Sequence, residues 1–278
     1  MKVLVFGASG MLGQDFLRAA RLANHQVTGL AHGEADITDS AAVARAVESE
    51  APDTVVNCAA YTNVDGAEEH AAEARRVNAD GARNVALAAA NVGASVLYPS
   101  SDYVFDGSKR TPYVESDEPS PLSSYGASKL AGEVETSAVN PRHFIVRSSW
   151  LFGTSGRNFV ETMLELGAEQ PQVVVVRDQT GSPTYTAHLA EGLVRLISTD
   201  AYGLHHMAAG GQCTWYDFAV EIFERAGVDC TVMSATTADL ARPASRPAYS
   251  VLGTQYEDAI HLPDWQDGLR GYLAERAA

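Results

Sequence analysis

A tyrosine and a lysine four residues apart, in Tyr125-Gly126-Ala127-Ser128-Lys129, are the residues of this chain best suited to moving a proton. Positions four apart share one helix face, so a phenol and an ammonium there can enter a single cleft. The ammonium favours the phenolate, which predicts a Tyr125 pKa below its ordinary value of about 10 and a usable general acid. An ordinary exposed Tyr/Lys pair has the same spacing. Ser101 follows an apolar run, Ser95–Pro99, where a hydroxyl could donate to a carbonyl oxygen within reach of Tyr125 or could simply form a turn. Asp102 and Tyr103 come next.

The second chemical feature is Gly7-Ala8-Ser9-Gly10-Met11-Leu12-Gly13, between the first apolar run and the first helical stretch. Gly7, Gly10 and Gly13 let the chain turn sharply, approach a pyrophosphate and pack helix on sheet. The N–H groups of Gly10, Met11 and Leu12 are expected to face the phosphates, aided by the helix dipole. The context is that of a dinucleotide site, with Lys129 bonding the nicotinamide ribose. An acid usually closes the second strand of an NAD enzyme. Here that strand ends Leu30-Ala31-His32, with no acid before Glu34 and no arginine. The expected cofactor is therefore NADPH, with NADH tolerated. Asp36 and Ile37 stand at the depth where an acid and an apolar residue would meet the adenosine, although Asp36 could equally cap the next helix.

These groups need a scaffold, and the alternation of elements supplies one. Lys2–Phe6, Gln26–Leu30, Asp53–Asn57, Ser95–Pro99 and His143–Arg147 read as strands. Met11–Leu22, Ser40–Ser49, Ala67–Asn91 and Ser123–Val139 read as helices. Continuous apolar runs between amphipathic stretches predict an α/β fold, a doubly wound parallel sheet (Rossmann) covered on both faces. After Trp150 the pattern loosens. A helix is expected over Asn158–Leu166, a strand over Gln172–Arg177, a loop over Asp178–Tyr185 and a helix over Ala187–Ser198. A strand near Gly203–Ala208 and helices over Trp215–Ala226 and from Pro263 follow. The predicted organisation is a dinucleotide-binding domain over residues 1–150 with returning segments near 172–210. Residues 151–171 and 211–278 form a smaller, interleaved substrate-binding lobe.

A formal net charge of −15 over 278 residues, with no basic stripe, excludes nucleic acid as a partner. Three cysteines, Cys58, Cys213 and Cys230, without a CxxC pair suit unbridged thiols in a reducing compartment. Cys58 reads as a buried small side chain rather than a nucleophile. No metal site is expected from the eight histidines, which show no HxH or HxxxH spacing. Apolar runs are too short for a membrane span and no signal-peptide layout is visible, so the expected location is the cytoplasm. A homodimer is left open, the acidic surface showing no self-association patch.

Taken together, these residues resemble the dTDP-4-dehydrorhamnose reductases of the extended short-chain dehydrogenase/reductases. The likeness runs through GASGMLG, NCAAYTNVD at Asn57–Asp65, Val77-Asn78, SSDYVFDG at Ser100–Gly107, SPLSSYGASKLAGE at Ser120–Glu133 and RSSW at Arg147–Trp150. It continues through DQTGSPT at Asp178–Thr184, GGQCTW at Gly210–Trp215, Arg246-Pro247 and LPDW at Leu262–Trp265. The resemblance implies reduction of the C4 ketone of a nucleotide-activated deoxysugar. Tyr125 would be the proton donor, Lys129 its activator and Ser101 the carbonyl partner. It implies cofactor contacts from Gly10, Met11, Leu12, Asp36, Ile37, Ala60, Tyr61 and Thr62, with Asp102 and Trp150 against the sugar. Two positions depart from the family pattern: Ser101 stands where threonine is common, and Tyr249 where asparagine is common. The related 4,6-dehydratases carry Thr-Asp-Glu at the fourth strand; Ser101-Asp102-Tyr103 lacks that glutamate. Tyr249 keeps alive a ketoreductase for a different deoxysugar, and a non-catalytic, dinucleotide-binding regulatory subunit is the rival from another class.

Overall fold

The parallel strands β1 (Lys2–Phe6), β2 (Gln26–Leu30), β3 (Thr54–Asn57), β4 (Ser95–Ser101) and β5 (His143–Ser148) carry the first half of the chain. The computed structural model describes residues 1–277. Val3–Phe6 and Val55–Val56 are fully buried, which is why these runs are apolar throughout rather than alternating. Helices connect them: α1 (Met11–Leu22), α2 (Ser40–Glu50), α3 (Gly66–Glu69), α4 (Ala71–Arg75), α5 (Ala82–Asn91) and α6 (Ser124–Val139). Side-chain caps set two of the starts. Asp39 accepts from Ala41 and Ala42 at α2, and Ser123 accepts from Gly126 at α6.

The chain then leaves the sheet through β6 (Leu151–Phe152), α7 (Phe159–Glu169), β7 (Gln172–Val176), β8 (Thr180–Gly181) and β9 (Thr184–Tyr185). It returns through α8 (Thr186–Leu196), which packs on α1, and β10 (Gly203–His206), which pairs with β5. The finished sheet has the order β10-β5-β4-β3-β1-β2. It leaves again through β11 (Cys213–Thr214), α9 (Trp215–Ala226), β12 (Thr231–Ala235), α10 (Thr237–Leu240) and α11 (Trp265–Arg276). This second lobe has its own core, in which Phe152, Val173, Val175, Phe218, Ile222 and Trp265 meet.

Several elements differ from expectation, three regions most clearly. The predicted helix Ala67–Asn91 is interrupted at His70, and Arg76–Gly81 winds as a wider π-helical turn. That turn brings Asn78 inward, where its amide bonds the Tyr61 backbone in both directions. The strand Thr231–Ala235 was not anticipated, because its side chains are mostly exposed and form no apolar run. It pairs in parallel with β7, and so places β7 in the second lobe. Among the described residues after Trp150, only β10 joins the six-stranded sheet, and β7 pairs with β12 instead. The expected loop Asp178–Tyr185 contains β8 and β9, which pair with β11 and β6. Among the described residues no helix is long and apolar enough to cross a membrane.

Candidate active site

The carboxyl ends of β1, β3, β4 and β5 open onto a cavity of about 800 Å³. This is the edge at which open α/β sheets bind ligands. One end is made largely of backbone. Gly7 sits at φ +72° with no room for a side chain, since a Cβ would run into the Ala59 backbone. A Cβ on Gly13 would meet the Gly7 carbonyl, so Gly13 holds α1 against the turn and does not reach the cavity. The N–H of Gly10 is spent on Gly7 O at 3.0 Å, contrary to expectation, because the turn closes there. Met11 and Leu12 open α1 and line the cavity, so their N–H groups, which a helix cannot satisfy internally, are the ones available to an anion.

His32, Asp36, Ile37, Ala60, Tyr61 and Thr62 continue the lining. Asp36 does not cap α2, a role taken by Asp39. Its Oδ1 accepts from Thr38 N and Thr38 Oγ1 at 2.8 and 2.9 Å. The Thr38 backbone bond holds its carboxyl below the usual range, with His32 and Arg76 adding to the effect.

The other end is made of side chains. Ser101, Asp102, Tyr125, Lys129 and Trp150 all line it. Tyr125 and Lys129 do not interact as expected. The Lys129 ammonium donates to Pro99 O at 2.7 Å and lies 4.2 Å from the Tyr98 ring centroid. Burial pushes it down to about 8, against the charge of Glu133. Burial also pushes the Tyr125 phenol up to about 12; the charge of Asp102 adds to this and the Ser101 hydroxyl opposes it. The predicted lowering is therefore reversed here, since desolvation disfavours phenolate and ammonium alike and the ammonium is engaged elsewhere. Burial likewise pushes the Cys58 thiol up to about 12, which leaves it protonated.

Beneath these residues lies a buried polar chain. Ser100 Oγ donates to Glu133 Oε1 at 2.5 Å, and Arg147 grips both oxygens of Glu133 at 2.8 and 2.7 Å. The Asn78 amide donates to Ser128 Oγ at 2.9 Å, and Ser128 donates to Tyr125 O at 2.7 Å. Asn78 thereby fixes α6 to the Tyr61 loop. Trp150 takes a left-handed conformation, φ +48°, and stacks on Trp215 with centroids 3.6 Å apart. Trp215 also lines the cavity. Neither Trp215 nor His32 had been assigned a role from sequence. An aromatic opening a helix and a histidine at a strand end both look ordinary until the fold points them inward. Tyr249 turns away, donating to Gln212 Oε1 at 3.0 Å. Among the described residues, no three His, Cys, Asp or Glu side chains gather as a metal would need.

The residues present fit a nicotinamide dinucleotide. The anion-ready helix start and the long cavity suit its phosphates. Among the described residues, the buried side-chain atoms of Asn57 and the Ser148 hydroxyl lack hydrogen-bond partners where they line the cavity. A glycine cradle at one end of a parallel sheet edge and a Ser-Tyr-Lys set at the other define a short-chain dehydrogenase/reductase. Residues 1–278 match the family described as RmlD substrate binding domain. The chain is 45% identical over 256 residues to a dTDP-4-dehydrorhamnose reductase of Streptomyces griseus, covering 90% of this chain and 84% of that one. It is 40% identical to the spore coat polysaccharide biosynthesis protein SpsK of Bacillus subtilis (strain 168), covering 100% and 98%. A dTDP-4-dehydrorhamnose reductase of Bacillus anthracis, solved in complex with NADP, superimposes with a TM-score of 0.96 at 39% identity, covering 99% of each chain. The chain belongs to the RmlD family of dTDP-4-dehydrorhamnose reductases and their relatives.

Proposed function

We propose that this protein reduces the C4 ketone of dTDP-4-dehydro-L-rhamnose to dTDP-L-rhamnose, using NADPH, in dTDP-rhamnose biosynthesis. The observation that carries the reading is one continuous cavity joining the glycine turn to Ser101, Tyr125 and Lys129. When bound, the dihydronicotinamide supplies a hydride to C4. The remaining work belongs to the chain. Met11 and Leu12 N–H groups would hold the pyrophosphate, and Lys129 would hold the nicotinamide ribose. Ser101 donates to the ketone oxygen, and Tyr125 delivers its phenolic proton as that oxygen becomes an alkoxide. A phenol held at about 12 remains protonated at neutral pH, which is the state a proton donor needs. Trp150, braced by Trp215, forms the wall against the sugar. In this reading, residues up to Ser148 together with α8 and β10 bind the dinucleotide, and the other segments after Trp150 bind the sugar nucleotide. Three unpaired thiols suit the reducing cytoplasm as the place of work.

The test is NADPH oxidation with dTDP-4-dehydrorhamnose generated in situ, followed by identification of the product sugar. Tyr125→Phe should lower kcat by about 10²–10⁴-fold while NADPH binding, read by fluorescence, stays unchanged. Wild-type-like turnover by that variant would remove Tyr125 as the donor. Formation of a product other than dTDP-L-rhamnose would reassign the substrate.

A further inference from the structure

Asp102 follows Ser101 directly, lines the cavity and is only 2% exposed. Its Oδ1 accepts from the Ser101 hydroxyl at 3.0 Å, and among the described residues its Oδ2 has no hydrogen-bond partner. Neither cation of the surrounding elements serves it. Lys129 donates to Pro99 O, and Arg246 is held by Asp65 at 3.0 Å. The titratable groups that sense its charge are phenols: Tyr103 on its own turn and Tyr125 on α6. A buried carboxylate with no cation and one orphaned oxygen is costly, whereas the neutral acid is not. Burial accordingly pushes the Asp102 carboxyl up to about 7, against the neighbouring Ser250 and Ser101 hydroxyls.

The consequence falls on Ser101, which has one proton to give. While Asp102 is ionised, that proton is drawn to Oδ1, and the Ser101 oxygen is already taken by Tyr103 N–H at 3.1 Å. Nothing is then left to donate to a ketone. When Asp102 is neutral, its own O–H can make the bond to Ser101, and the serine proton is free to turn into the cavity. We propose that Asp102 is a positioning residue that works as the neutral acid, its proton releasing the Ser101 hydroxyl to the substrate carbonyl. Neutrality has a second effect in the same direction: it removes the charge that opposes ionisation of Tyr125, making the phenol a readier donor.

This inference rests on the reductase reading, so its test has one arm that needs no substrate. The pH dependence has a definite sign. A carboxyl raised to about 7 is neutral below that pH and ionised above it, so kcat/KM for reduction should fall as pH rises through it, by about tenfold per unit. Lys129, held at about 8, adds its own loss of charge at higher pH. Asp102→Asn fixes the neutral form. The limb near 7 should disappear, leaving a descent that begins nearer 8. In the resting wild-type protein, infrared difference spectra across the same range should show a protonated-carboxyl band that vanishes on raising the pH and is missing from Asp102→Asn. Ser101→Ala removes a bond that favours the ionised form, so it should shift the midpoint of that band upward. A profile unchanged by Asp102→Asn, or a wild-type spectrum with no such band, would overturn the proposal. If the infrared band titrates as expected but no ketone is reduced, the reductase reading fails and the neutral acid stands.

Discussion

The two ends of the cavity are built from different materials. At the dinucleotide end the chain offers backbone: a glycine turn, the first N–H groups of α1 and a loop pinned by Asn78. At the ketone end it offers side chains on three different elements, set above a buried network in which Glu133 and Arg147 pair at 2.7 Å. A backbone site depends on local conformation and is carried by a short stretch of sequence. A side-chain site depends on desolvation and on partners far away in the chain, and the departures of Tyr125 and Lys129 from their ordinary pKa values measure that dependence.

The comparison breaks most visibly when the floor of the ketone end is cut. Arg147 and Glu133 are both nearly inaccessible, so Arg147→Met leaves a buried carboxylate without its cation, held only by the Ser100 hydroxyl. We expect a loss of about 3–5 kcal/mol in unfolding free energy, measured by urea denaturation. The double variant Arg147→Met/Glu133→Gln should recover much of that loss, because no charge is then stranded. If the single variant unfolds at the wild-type midpoint, the network is not what supports Ser100 and α6.

At the backbone end the matching experiment is Gly7→Ala. The added methyl meets the Ala59 backbone, and the conformation at φ +72° disfavours any side chain. Together these cost about 2–3 kcal/mol. The strain falls on the turn, so NADPH affinity should drop by about two orders of magnitude when followed by fluorescence titration. Unchanged affinity would mean that the turn does not set the position of the α1 amides.

The same contrast explains what could be read before the fold was known. The boundaries of β1, α1, β2 and α9 agree with the sequence reading, because each begins or ends at a sharp chemical signal such as Gly10 or Thr214. Tyr125, Lys129 and Ser101 could be picked out by type and spacing, but their electrostatics could not. The prediction that Lys129 lowers the Tyr125 pKa failed because helical spacing says nothing about Pro99 O and the Tyr98 ring, which claim the ammonium. The π-helical turn at Arg76–Gly81 was hidden for a similar reason. Its sequence suits an ordinary helix, and the contacts that Asn78 makes there, to the Tyr61 loop and to Ser128, lie far from it in the chain. The strand β12 was missed because its exposed side chains follow no apolar pattern and its pairing partner lies some sixty residues earlier, in β7.

The smallest expected effect sits where backbone and side chain meet, at the far rim of the dinucleotide end. Glu34 is turned back to accept Ala31 N at 2.8 Å, which leaves His32 as the first residue after β2 that lines the cavity. An NAD enzyme would place its ribose-binding acid in this region, and a carboxylate there would repel a 2′-phosphate. His32→Asp restores that carboxylate without touching the glycine turn or the ketone end. The NADPH dissociation constant should rise by about tenfold, equivalent to about 1.4 kcal/mol, with NADH affinity held or improved. Because the rim is open to solvent, the discrimination should shrink as salt is added. If the ratio of the two constants does not move, the lack of an acid after β2 does not set the cofactor preference.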